Sequence, residues 1–374
     1  MKTVSISAII FIILFGIFGG IFAYKSFFSN IRVKYLTNVT KIYGTYAYTC
    51  AVLANGSVVC WKWYKDIPYF LNISNIRGLS LNYGTNCAVL ENGSVACWGI
   101  IDFLQLLNLT SPGQPVPNTI IYNQPTIIDE FQNVKKISVS QTTACAVLEN
   151  NSVECIGYLP CSNFTSTPVI LNGTQNLGEI SQIIFGNGFI CLLLSNGSIA
   201  CMGDDWSGGL GNGLYSEDFL KEAGYNATEV PELSCINHFV FVNGINNAIE
   251  ITTDGGLVCA VLENGSVACW GFDDAGLMRN LLNNDNETIP SPELLNGINN
   301  VKELVLFPGP FYACALYYNG SVACWGDNKF GELGNGEAGS LNNYLGINQS
   351  ADTYYPTIVK GVNNAIDIAL SGVY

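Results

Sequence analysis

The sequence predicts an all-β propeller, and three observations carry that prediction. One hairpin motif occurs six times, strand-prone runs flank its copies, and cysteines recur inside it at fixed spacing. Six blades are expected, with seven as the alternative: the hairpin occurs six times, but the strand-prone run before it occurs seven times, from Val39 to the copy at Ala365. The expected organisation is an N-terminal hydrophobic helix over 1–24, a linker over 25–37 and the propeller over 38–374.

Residues Val4 to Tyr24 run without a charge after the single basic residue Lys2. That length matches a bilayer-spanning helix better than the shorter apolar core of a signal peptide. A retained signal-anchor is therefore favoured over a cleaved signal peptide, for which Ile21-Phe22-Ala23 is the candidate cleavage site. Lys25, Arg32 and Lys34 follow the segment, so flanking charge does not set its orientation.

The six hairpin copies align without gaps: 50–60 (CAVLANGSVVC), 87–97 (CAVLENGSVAC), 145–155 (CAVLENNSVEC), 191–201 (CLLLSNGSIAC), 259–269 (CAVLENGSVAC) and 314–324 (CALYYNGSVAC). Each is two β-prone runs around Asn-Gly, a strong hairpin signal. A two-residue loop would put Cys50 and Cys60 on opposite faces of the ribbon. A three-residue loop, Ala54-Asn55-Gly56, with the last residue left-handed, sets Val52 against Val58 and Cys50 directly against Cys60. In the third copy Asn151 replaces that glycine, and Asn is the residue after Gly that best tolerates the left-handed region.

The register predicts six cross-strand disulfides: Cys50–Cys60, Cys87–Cys97, Cys145–Cys155, Cys191–Cys201, Cys259–Cys269 and Cys314–Cys324. Cys161 and Cys235 are left over, and spacing leaves their pairing open. A zinc site needs four converging ligands, and the chain has one histidine, His238, read as a packed strand residue; no metal and no cofactor are expected. Disulfides agree with an exported chain.

Before the hairpins come strand-prone runs such as those starting at Val134, Ala248, Val301 and Ala365. After them come proline-led runs at Pro125, Pro168, Pro292 and Pro356, and proline at a strand start suits an edge strand. Four strands per unit at irregular intervals describe propeller blades.

Four hairpins continue into Trp61, Trp98, Trp270 or Trp325. Trp325 to Gly336 reads WGDNKFGELGNG, Met202 to Gly213 reads MGDDWSGGLGNG, and Trp270-GFDDAGLM is a decayed copy. Over residues 38–374 this pattern resembles the regulator-of-chromosome-condensation (alpha-tubulin-suppressor-like) repeat family, which implies a propeller of that type. A histidine that the family carries before the hairpin is replaced by Tyr48, Thr85, Thr143 or Tyr312. The nucleotide-exchange activity of the family's best-known member is not implied, because nothing matches its chromatin-binding parts and an exported ring would not meet its partner.

Composition narrows function further. Hydrophobic residues make up 49% and charged residues 12% of the chain, enough for a large core. A net charge of −14 repels phosphate backbones, so no nucleic-acid partner is expected. One histidine removes most acid–base and triad schemes. Asp204-Asp205 and Asp273-Asp274 are paired carboxylates at equivalent places, read as solvated turn caps rather than calcium ligands or a glycosidase pair.

Fourteen Asn begin N-x-S/T, against about five expected by chance: Asn38, Asn55, Asn72, Asn92, Asn108, Asn150, Asn163, Asn172, Asn196, Asn226, Asn264, Asn286, Asn319 and Asn348. Heavy N-glycosylation is expected, which requires an extracytoplasmic location. The insertions 99–125, 156–167, 203–231 and 272–291 offer candidate contact aromatics: Trp206, Tyr215, Phe219, Tyr225 and Phe272. The expected role is a cell-surface, membrane-anchored binding or adhesion module for a protein or glycan ligand, secreted if the N-terminal segment is removed. A structural glycosylated envelope component and a glycan-active enzyme are the alternatives; an enzyme is not favoured.

Overall fold

The computed structural model describes residues 38–45, 48–62, 65–82, 84–100, 121–162, 164–205, 207–214, 235–273, 276–278, 280–282, 287–307, 312–329, 331–337 and 352–370. The expected N-terminal helix, 1–24, and the linker lie outside them; among the described residues no helix is long and apolar enough to cross a membrane.

Six four-stranded antiparallel sheets form in chain order. Blade 1 holds β1 (Val39–Gly44), β2 (Tyr48–Leu53), β3 (Val58–Lys62) and β4 (Lys65–Phe70). Blade 2 holds β5 (Ile76–Leu81), β6 (Thr85–Leu90), β7 (Val95–Ile100) and β8 (Ile121–Ile128). Blade 3 holds β9 (Val134–Val139), β10 (Thr143–Leu148), β11 (Val153–Tyr158) and β12 (Phe164–Ile170). Blade 4 holds β13 (Ile180–Phe185), β14 (Phe189–Leu194), β15 (Ile199–Asp204) and β16 (Cys235–Phe241). Blade 5 holds β17 (Ala248–Thr253), β18 (Leu257–Leu262), β19 (Val267–Phe272) and β20 (Thr288–Leu294). Blade 6 holds β21 (Val301–Phe307), β22 (Tyr312–Tyr317), β23 (Val322–Gly326) and β24 (Thr353–Ile358). First strands of successive blades approach one another, so they surround the axis and fourth strands form the rim.

The hairpins have the three-residue loop. In the first, Leu53 N–H donates to Ser57 O at 2.9 Å and Gly56 N–H returns to Leu53 O at 2.8 Å. Gly56 is left-handed at φ 77°, and Asn151 takes the same conformation at φ 64°. Asn55 Oδ1 accepts Ser57 N–H at 3.0 Å, an Asx turn repeated in all six copies. Val52 pairs with Val58 and Cys50 with Cys60, and every other hairpin keeps that register.

All six expected disulfides form, each with Cα atoms 4.1 Å apart. Cys161 and Cys235 pair with each other, tying blade 3 to the outer strand of blade 4.

The core is a set of layers between blades. Each hairpin disulfide is fully buried and faces the next blade: Cys50 and Cys60 meet Ala88 and Trp98, while Cys259 and Cys269 meet Ala315 and Trp325. The last layer differs. Cys314 and Cys324 pack on Ile368 and Leu370, and Ala369 packs in turn against Val39, Ile42 and Ala51 of blade 1.

Residues 365–370, which form no regular strand, therefore take the place of a seventh inner segment. Ala365 N–H donates to Gly320 O at 2.9 Å, as Val134, Ala248 and Val301 donate to the glycine of the hairpin before each of them. The segment closes the ring between blade 6 and blade 1 instead of founding a seventh sheet.

Candidate functional site

In a four-stranded meander, the connections alternate between the two ends of the ring. The hairpin turns and the links between blades lie at one end, and the third-to-fourth-strand connections lie at the other. The long insertions all belong to the second end. Sequons separate the same way. Asn38, Asn55, Asn72, Asn92, Asn150, Asn172, Asn196, Asn264 and Asn319 belong to the hairpin end and are exposed. Asn108, Asn163, Asn226, Asn286 and Asn348 fall in insertions and lie outside the described residues.

Of the candidate contact aromatics, Trp206, Tyr215, Phe219 and Tyr225 also lie outside the described residues. Phe272 is not in a loop: it ends β19, paired with Thr288, and is partly exposed. His238 is on a strand as expected, but it is exposed rather than packed.

The first described residues after β15, β19 and β23 form brackets between blades. Asp205 Oδ1 accepts the Leu210 N–H at 3.2 Å, and Asp273 accepts the N–H groups of Leu277 and Met278 at 2.8 and 2.9 Å. Asn328 Oδ1 accepts the Leu333 N–H at 3.0 Å. Asp205, Asp273 and Asn328 thus share one position, and the equivalence of Asp204 with Asp273 read from the sequence is off by one. The caps are buried, not solvated. Among the described residues no group of three or more His, Cys, Asp or Glu is arranged to hold a metal.

The first two brackets each meet the tryptophan of the next blade. Trp270 Nε1–H donates to Gly209 O at 3.0 Å, and Trp325 Nε1–H donates to Leu277 O at 3.1 Å. Trp98 has no such partner, because the connection of blade 1 spans only residues 63–64. Its Nε1–H and the facing Asn86 Oδ1 are both buried and unbonded. A buried unpaired donor is costly, and removing one partner of a buried pair strands the other. Trp270→Phe and Trp325→Phe are expected to lose about 1 kcal/mol more than Trp98→Phe, measured by denaturant unfolding of the three variants.

Burial pushes the Asp205 carboxyl up to about 7, with Asp204 adding repulsion and the Leu210 N–H opposing. The folded value stands above the unfolded one. The stability this group contributes is complete below the unfolded value, near 3.8, and is lost as pH rises through about 7. Asp205→Asn keeps the acceptor, as Asn328 does in blade 6. It is expected to stabilise by on the order of 1–2 kcal/mol at pH 8 and negligibly at pH 4, read from thermal unfolding at the two pH values.

Around the axis, the third residue of the inner strands is Lys41, Gly78, Lys136, Gln182, Glu250, Glu303 and Asp367, and from Lys136 onward its side chain reaches the next inner segment. Gln182 Oε1 accepts Ile251 N–H at 3.0 Å, and Glu250 Oε2 accepts Leu304 N–H at 3.2 Å. Glu303 Oε2 accepts Ile368 N–H at 3.4 Å, and Asp367 Oδ2 accepts Ile42 N–H at 2.8 Å, which carries the series across the seam to blade 1. Burial pushes Glu250 up to about 7; burial first, then the Asp367 and Glu250 charges, hold Glu303 above the usual carboxylate range. This series was not read from the sequence, although aligning the six inner strands with 365–370 exposes the shared position.

No protein-family model matches the chain. Among solved structures it is similar to Prp20p from Saccharomyces cerevisiae, studied for its binding to Gsp1p and histones. That likeness has a TM-score of 0.63 at 16% identity over 86% of this chain and 77% of that one. Yeast RCC1 (Prp20) bound to Kap60 gives 0.62 at 14% identity over 86% and 75%. Human WBSCR16 gives 0.57 at 16% identity over 79% and 70%. At such identities the likeness concerns fold alone. The chain has the fold of the regulator-of-chromosome-condensation propellers, with six four-stranded blades and a closing segment over 365–370.

Proposed function

We propose that this chain is an extracytoplasmic, membrane-anchored interaction module that binds a protein or glycan ligand through the insertion end of its ring. The observation that supports the reading is that the long third-to-fourth-strand connections all leave the described strands at one end, on a scaffold stapled by seven disulfides. Binding loops held on a rigid frame are a common use of such scaffolds. The similar Prp20p is a protein-binding propeller by its reported partners, which supports an interaction role without naming a ligand for this chain. The uncharged run Val4–Tyr24, the disulfides and the fourteen sequons support export and anchoring.

The test is glycan-array and pulldown binding by the full-length chain in detergent, with and without enzymatic deglycosylation. Binding that is lost in a Tyr215→Ala, Phe219→Ala, Tyr225→Ala variant and kept after deglycosylation is the expected result. Binding that survives this variant would sink the loop assignment, and no binding at all would favour a structural envelope component.

A further inference from the structure

The rim of the ring carries a feature that neither folding nor loop binding requires. The outer strands present Phe70, Ile127, Ile170, Phe241, Leu294 and Ile358, each between 47% and 65% exposed. They share one register. Each pairs with the residue just before the second cysteine of its hairpin: Val59, Ala96, Glu154, Ala200, Ala268 or Ala323. The six side chains therefore stand at one height around the circumference. None of them belongs to a core cluster.

The backbone at these positions also faces outward. The next residue bonds inward, as Leu71 N–H does to Val58 O at 3.0 Å and Val242 N–H to Ile199 O at 2.9 Å. Leu171, Leu295 and Val359 repeat the bond in their blades. Alternation along a strand then turns the N–H and C=O of the exposed residue itself away from the sheet.

Isolated exposed apolar residues are ordinary, but open sheet edges are normally guarded by charge. Here charge is withheld. The chain carries a net −14, yet the six outer strands hold only Lys65, Asp66 and Glu293 as formal charges. No sequon asparagine lies within an outer strand, although the sequons at Asn163 and Asn286 run into the first residues of β12 and β20. For a strongly acidic chain, the rim is the surface on which a second copy meets least repulsion.

We propose that the rim is a contact surface between copies of this chain, joined side to side through their outer strands. A second copy is the occupant that fits, because the same apolar element and outward backbone groups recur in every blade. A partner using one site has no need of six equivalent ones, whereas lateral packing of rings gives each ring several neighbours. This surface is separate from the insertion end, so ligand binding and lateral assembly fail or succeed independently.

The experiment is sedimentation of the full-length glycosylated chain in detergent over a concentration series, with electron microscopy of the larger species. Concentration-dependent oligomers of rings touching at their rims are expected. The Phe70→Glu, Phe241→Glu, Leu294→Glu variant should weaken association by at least about tenfold with unfolding temperature unchanged. A second variant with Thr at the same three positions keeps strand propensity and guards against misfolding, and it should weaken association in the same direction. A wild-type chain that stays monomeric throughout overturns the proposal. So do oligomers joined end to end, or oligomers indifferent to both variants.

Discussion

Removing residues 365–374 is expected to open the ring and lower the unfolding temperature by roughly 10 °C. The segment buries Ile368 and Leu370 against blade 6 and Ala369 against blade 1. Burying an Ile or Leu side chain contributes about 1.5–3 kcal/mol, so the two together supply on the order of 5 kcal/mol. Deletion also strands Ile42 N–H, which donates to Asp367, and frees Glu303 and Lys302 from Ile368 N–H and Ile366 O. Hydrogen exchange should then speed up in β1 and β21 and stay unchanged in β9 and β13, two blades away. A uniform change would mean that the segment is not the closure. Gly44→Ala tests the same seam without a deletion, because a Cβ there would stand 2.2 Å from Leu370 O, a backbone atom with little room to retreat.

The seam also gives the ring a pH dependence. Glu250, Glu303 and Asp367 meet there, with Lys41, Lys302 and Tyr43 facing them. Both glutamates stand above their unfolded value near 4.5. Their contribution is complete below that value and is lost as pH rises through about 7 and beyond. Unfolding temperature should fall between pH 5 and pH 8.5. Asp367→Asn keeps the acceptor for Ile42 N–H and removes the charge beside Glu303, so it should flatten that fall.

What was legible in the sequence, and what was not, follows from the range of the interactions. The hairpin register was legible because Asn-Gly fixes a turn and the cysteines mark opposite positions within eleven residues. Six blades were legible for the same reason, since each sheet contains one such hairpin. The closing segment was ambiguous because 365–370 has the sequence of an inner strand, and its packing against both blade 6 and blade 1 is not local. Its partners are Glu303 and Ile42, the second of them most of the chain away in sequence. The caps were misaligned by one residue because Asp204 and Asp205 are adjacent, and only the bond to Leu210 distinguishes them. Phe272 was assigned to a loop because nothing local shows that Thr288 extends the ladder to it.

Reduction of the disulfides should have the largest effect of all, and its parts can be separated. In the loop-closure picture a staple around an eleven-residue hairpin contributes about 3 kcal/mol. Cys161–Cys235, with a sequence separation of 74, contributes about 4.5 kcal/mol. The hairpin staples have a second role, because their sulfurs fill the layers between blades. Replacing Cys259 and Cys269 by Ala removes both the cross-link and buried volume facing Ala315 and Trp325, whereas Val at both positions removes chiefly the cross-link. The Ala pair should therefore lose on the order of 2 kcal/mol more than the Val pair. Cys161→Ala with Cys235→Ala should lose stability through closure alone, since neither residue belongs to a core cluster. Unfolding curves of the three double variants decide the matter. Equal losses for the Ala and Val pairs would show that the hairpin disulfides act only as cross-links, and free thiols at Cys50 and Cys60 under non-reducing mass spectrometry would remove the staples from the account.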